Sequence, residues 1–158
     1  MGEDRRLAAL EGAYQSWVDC IEGLPEEKFL AGMEAGTPRD LAARLIGWNQ
    51  LAVLGAQSIL QGKPPAHHKD FGSGYANVNR DLAAHEPGTD RKALLAKLAS
   101  TERQAVEFFR SVGVEAWNQD FGVRHPDGGP ATVRRCLEEL TRDYLNATDE
   151  VLTWLANP

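Results

Sequence analysis

The chain has 158 residues, 42% hydrophobic and 25% charged, the proportions of a soluble globular protein long enough to bury a real core in one domain, 1–158. Its 23 acidic residues outnumber 17 basic ones, the net charge is −6 and no Lys/Arg block stands out. That balance argues against nucleic acid and against an anionic membrane, since both need a basic footprint.

The first predicted helix covers about Asp4 to Glu22, where Leu7, Leu10, Tyr14, Trp17, Val18 and Ile21 form one stripe. Gly23, Leu24 and Pro25 close it. A polar loop follows over 23–36, with Phe29, Leu30 and Met33 available to pack. The second helix, Thr37 to Gln61, has the best-marked start: Thr37 as cap, Pro38 in the first turn, Asp40 near the positive end. Leu41, Leu45, Trp48, Ala52, Gly55 or Ala56 and Ile59 recur along it, and Gly62 to Pro65 end it. Arg44 falls inside that apolar arc, where a guanidinium needs a partner or a wet pocket. Ile46, Val53 and Leu54 add apolar groups on the opposite side, which raises the expectation of a homodimer.

The longest connection, about Gly62 to Gly88, is long enough to carry structure or function, and Tyr75 to Ala84 could make a short helix. The third long helix runs from Thr89 or Asp90 to about Val112, with Leu94, Leu98, Thr101, Ala105, Phe108 or Phe109 inward and Glu102 solvated. Val114 to Gly129 is a loop with a turn at His125-Pro126-Asp127-Gly128-Gly129. The last helix spans about Pro130 to Ala156, and Asp143 lies on the flank of its apolar face. No strand pattern or repeat appears. The expected fold is all-α, most simply a four-helix bundle.

Little in the motifs spells out chemistry. His67 and His68 are adjacent, so they point apart and form a poor chelating pair; the plainer reading is solvated loop histidines. No H-x-x-x-H, E-x-x-H or H-E-x-x-H lies on a predicted helix, so no dedicated metal site is written. With no secretory core in Met1–Leu10, no apolar run of about 20 residues, and Cys20 and Cys136 too few for a disulfide framework, the chain is expected in the cytoplasm.

The run Thr37 to Trp48, the segment Asp70 to Asn79 and the closing helix Pro130 to Leu152 together resemble the DinB-like superfamily, which includes the mycothiol-dependent maleylpyruvate isomerases and the ClbS/DfsB proteins. The resemblance spans nearly the whole chain. It implies a bundle of up-down-down-up connectivity with a long crossover between helices two and three. In metal-binding members, a helix-two histidine and two last-helix ligands four residues apart hold zinc or nickel for chemistry on a low-molecular-weight thiol. The corresponding positions here are Arg44, Asp143 and Ala147, a cation, one carboxyl and a methyl group, so no metal is expected. The resemblance therefore favours a metal-free protein that binds a small molecule in a bundle pocket lined by Arg44, Trp48, Tyr75, Asn77, Asp143 and Ala147. Its action would be protective or hydrolytic toward a reactive metabolite. Alternatives are a zinc- or nickel-dependent thiol transferase or isomerase that recruits His85 or His125, and a non-catalytic homodimeric interaction module. Arg44 and Asp143 are expected to pair across the bundle where relatives hold the metal.

Overall fold

The computed structural model describes residues 2–157, the side chains of residues 2–4 and 114 excepted. Four long helices carry the core: α1 (Gly2–Glu22), α3 (Pro38–Leu60), α5 (Arg91–Ser111) and α7 (Val133–Ala156). Short helices α2 (Glu26–Phe29), α4 (Ala76–His85) and α6 (Val114–Asn118) and a 3-10 segment over Ala66–Ser73 occupy the connections. Among the described residues there is no strand, only two isolated bridges. No described helix is long and apolar enough to cross a membrane.

The helix starts follow their local chemistry. Thr37 and Asp40 form a reciprocal capping box with Pro38 in the first turn, while Asp90 and Thr132 cap α5 and α7. Helix α7 begins later than Pro130 because the chain there is extended: Arg124 bridges Pro130, and Ala131 N–H donates to Val123 O at 2.9 Å.

The order of contacts fixes the connectivity. Arg39, at the start of α3, donates to the Ala83, Glu86 and Gly88 carbonyls just before α5, so α3 and α5 run parallel. Arg6 meets Glu138, and Tyr14 packs edge-on to Tyr144 with centroids 5.8 Å apart, so α1 and α7 are parallel too. Arg91 donates to Ile21 O and Leu24 O, which sets α1 antiparallel to α5. The result is the up-down-down-up bundle, and the stretch between α3 and α5 is the crossover that returns the chain to the same end.

The core runs through all four helices, from Leu7, Leu10 and Trp17 through Leu45 and Leu98 to Leu137 and Tyr144. A polar knot sits within it. Asn49, with no exposed surface, donates to Thr101 Oγ1 at 2.9 Å and accepts the Tyr144 hydroxyl at 2.8 Å, tying α3, α5 and α7 together.

Three expectations change here. Ile46 is fully buried in the core with Leu94 and Leu98, Val53 is half-buried, and Leu54 alone is exposed. The second apolar side of α3 is thus largely used inside the chain, which removes most of the surface that suggested a homodimer. Glu102 is 8% exposed rather than solvated, because its side of α5 packs toward Tyr14 and Glu11 of α1. The loop over 114–129 contains α6, and its Trp117 is buried and donates to Phe109 O.

Candidate functional site

The crossover lies across α3 because α3 offers it two bare places. A Cβ at Gly47 would fall 2.4 Å from Leu82 of α4, and one at Gly55 would fall 3.2 Å from His67 and 3.3 Å from Pro65. Asp70 then locks the crossover's own shape. Its carboxylate accepts the Val78 N–H, the Asn77 amide and the Ser73 hydroxyl, and these bonds hold it below the usual carboxylate range. Just before α4, Tyr75 takes a left-handed backbone (φ 65°), the single non-glycine case among the described residues. That turn directs its ring back toward Trp48, 5.4 Å away centroid to centroid.

Two adjoining cavities result between α3, α7 and the crossover, sharing Trp48, Tyr75 and Asp143 as walls. The inner one, about 60 Å³, adds Ala52, His67, His68, Cys136, Glu139 and Leu140. The outer one, about 210 Å³, adds Arg44, Asn79, Asn146, Ala147 and Glu150. Trp48 is fixed by donating its indole N–H to Asn79 Oδ1 at 2.7 Å. His67 stands edge-on to Trp48 at 5.2 Å and to His68 at 5.0 Å, and His68 stacks obliquely on the buried His125 at 4.8 Å.

Burial and neighbouring imidazoles push His67 and His68 down to about 4, so both are neutral at physiological pH. Burial pushes Asp143 up to about 7, with Glu139 one turn away adding to it. Burial also raises the Tyr75 hydroxyl to about 12 and the Cys136 thiol to about 12, so neither is ionised at neutral pH. Several buried polar atoms around the cavities have no hydrogen-bond partner in the protein: Tyr75 Oη, His68 Nδ1 and Arg44 Nε.

Of the residues proposed from sequence, Arg44, Trp48, Tyr75, Asp143 and Ala147 all line the cavities. Asn77 does not; it is exposed and binds Asp70 and Arg80, and Asn79, one helical step nearer the bundle, takes its place. The Arg44–Asp143 pair does not form. Arg44 turns the other way and donates to Ala35 O at 2.9 Å, and Asp143 answers electrostatically to Glu139 and Arg142. His67 and His68, expected as solvated loop histidines, are instead half-buried against Trp48 and His125, and no role was expected for Cys136 or Glu139. The i, i+4 spacing of Glu139 and Asp143 on one flank of α7 was the available signal for the carboxyl pair.

The divalent metal implied by the family resemblance does not fit these side chains. Its three positions hold a guanidinium, one carboxyl and an alanine methyl, and among the described residues no group of three or more His, Cys, Asp or Glu is arranged to hold a metal ion. His85 is exposed at the end of α4, and His125 is buried against His68 and Phe71, so neither rebuilds a site at Arg44.

No protein-family model matches the chain, and no curated protein matches it. Solved structures do. The colibactin self-resistance protein ClbS, crystallised in complex with double-stranded DNA, superimposes with a TM-score of 0.74 at 17% identity over 99% of this chain and 96% of its own. An uncharacterised protein from Escherichia coli UTI89 gives 0.71 at 20% identity, covering 98% and 93%. The sibling lethal factor precursor DfsB gives 0.74 at 17% identity, covering 98% and 95%. The ClbS complex corrects the exclusion of nucleic acid drawn from composition: a protein of this fold is seen on duplex DNA, so net charge over a whole chain is too coarse a criterion. At these identities the likeness speaks for architecture, and the chain has the all-α helical fold of ClbS and DfsB.

Proposed function

We propose that this chain is a metal-free, ClbS-like protein that takes a small reactive metabolite into the cleft between α3, α7 and the crossover and protects against it by sequestration or hydrolysis. The observation that carries this reading is the pair of adjoining cavities whose walls hold buried polar atoms without protein partners. Unsatisfied buried groups are costly, and a bound molecule would satisfy them. The carboxyl pair supplies acid–base capacity without a metal: Asp143, near half-protonated at neutral pH, could give a proton while Glu139 accepts one from water.

The test is a panel of small electrophilic metabolites read by thermal shift and by the Trp48 indole N–H resonance, assigned with Trp48→Phe. A ligand should raise the melting temperature and move that resonance, and mass spectrometry would show a product heavier by one water if hydrolysis follows. Ligands that stabilise the protein while leaving the Trp48 resonance unmoved would place binding elsewhere and refute the reading. The ClbS complex supports duplex DNA as a further partner, and we propose the exposed Lys63 and Lys69 of the crossover as contacts to test. Titration of a labelled duplex should show affinity that falls steeply with salt and weakens in Lys63→Ala/Lys69→Ala. Absence of binding at low salt would remove DNA from the reading.

A further inference from the structure

The inner cavity is rich in acceptors and poor in cations. Glu139 and Asp143 enter it from one face of α7, four residues apart, beside the unpartnered Tyr75 Oη and His68 Nδ1. Trp48 and Tyr75 supply aromatic walls. Among the described residues Glu139 has one cationic neighbour, Arg135, which it shares with Asp127, and Asp143 has none in contact. Arg44 is turned to Ala35 O, and Arg142 is exposed on α7. His67 and His68 are neutral, so each offers one lone pair and one N–H and brings no charge. Asp143 is left with no ion-pair partner and no hydrogen bond from any described residue. Asp143 is half-buried in the cavity wall, and a carboxyl in that state is completed by a cation that also donates hydrogen bonds.

Resting on the cleft reading above, we propose that the inner cavity recognises a primary ammonium group, seated between Asp143 and Glu139 against Trp48 and Tyr75, so that the ligand of this cleft is an amine. The three N–H donors of a primary ammonium match the acceptors present: the two carboxyls and either Tyr75 Oη or His68 Nδ1. The aromatic faces favour the same charge. A quaternary ammonium would satisfy the rings but none of the acceptors. The cavity, at about 60 Å³, holds a head group and not a whole metabolite, which leaves the rest of the ligand in the outer cavity beside Arg44.

The experiment uses n-butylammonium as probe, with 1-butanol as its neutral counterpart and tetramethylammonium as the cation without donors, each followed by the Trp48 indole resonance and by calorimetry on the full chain. n-Butylammonium should bind saturably, at least about tenfold more tightly than either control. Asp143→Asn should weaken it by about tenfold or more and Asp143→Glu should restore part of the loss. Glu139→Gln serves as the second variant should Asp143→Asn misfold by circular dichroism, and it should weaken binding in the same sense. Equal binding of 1-butanol, equal binding of tetramethylammonium, or unchanged affinity in both carboxyl variants would overturn the proposal. An electrophile lacking an amine that moves the Trp48 resonance while n-butylammonium does not would overturn the ammonium site and leave the cleft reading standing. If neither class moves the resonance, both fail together.

Discussion

Replacing Glu102 with Gln should stabilise this protein at neutral and alkaline pH. Glu102 is 8% exposed in the seam between α1 and α5, and its Oε1 has no hydrogen-bond partner. Burial pushes the carboxyl up from its ordinary 4.5 to about 7, Glu11 adds to the rise, and Arg103 offsets only part. Because the folded state holds the proton more tightly than the unfolded chain, this group's contribution is fully favourable below about pH 4.5 and is lost as pH rises through about 7. At about 1.4 kcal/mol per tenfold change in proton affinity, that interval corresponds to at most about 3.5 kcal/mol. The open solvent beside Arg103 screens the charge, so about 1–3 kcal/mol is the working range. Gln keeps the shape and removes the ionisation. Urea denaturation of both proteins at about pH 4.5, 6 and 8 should show equal stability at the lowest value and a widening advantage for Glu102→Gln above it. Parallel pH profiles for the two proteins, or an advantage largest in acid, would refute the argument.

Two further substitutions probe the frame. Tyr144→Phe leaves Asn49 Oδ1 unpaired in the core and should cost about 1–2 kcal/mol in urea denaturation, whereas a cost near zero would mean that the Asn49–Thr101–Tyr144 knot adds nothing. Gly47→Ala places a methyl within 2.4–2.9 Å of the Leu82 side chain, so it should cost about 1–3 kcal/mol and speed tryptic cleavage at Lys69 and Arg80 as α4 lifts off α3. Cleavage at the wild-type rate would show that Leu82 simply repacks.

Much of the frame was legible because it rests on local rules. The Thr37-Pro38-Asp40 start is set by capping chemistry within four residues, and the apolar stripes of α1, α3, α5 and α7 are periodic enough to place every long helix. The azimuth of Arg44 was legible as well, and it does border the cavity. Its reach was not: a wheel gives the direction in which a side chain leaves the helix, whereas the choice between Ala35 O and Asp143 belongs to rotamers and a loop carbonyl. Glu102 failed for a related reason, since α1 approaches α5 on a flank that no single helix can reveal. The histidines were read as divergent neighbours because nothing in the sequence shows the 3-10 turn that stands His67 edge-on to His68 and lays His68 on His125 from another loop. Chain connectivity came from family resemblance, as no local rule makes α3 and α5 parallel.

That connectivity bears on how the chain is made. Helix α7 supplies one wall of the cavities and the parallel partner of α1, and it is the last of the four long helices to be synthesised. While α7 is still in the ribosomal tunnel, Leu7, Leu10 and Trp17 have no Tyr144 or Leu137 to pack on, and Asn49 is missing one of its two side-chain partners. The nascent chain can pair α3 with α5 as soon as the crossover is complete, but α1 must wait with its apolar stripe largely uncovered for more than a hundred residues of synthesis. Ribosome-bound fragments ending before Val133 are therefore the forms of this protein most dependent on a chaperone.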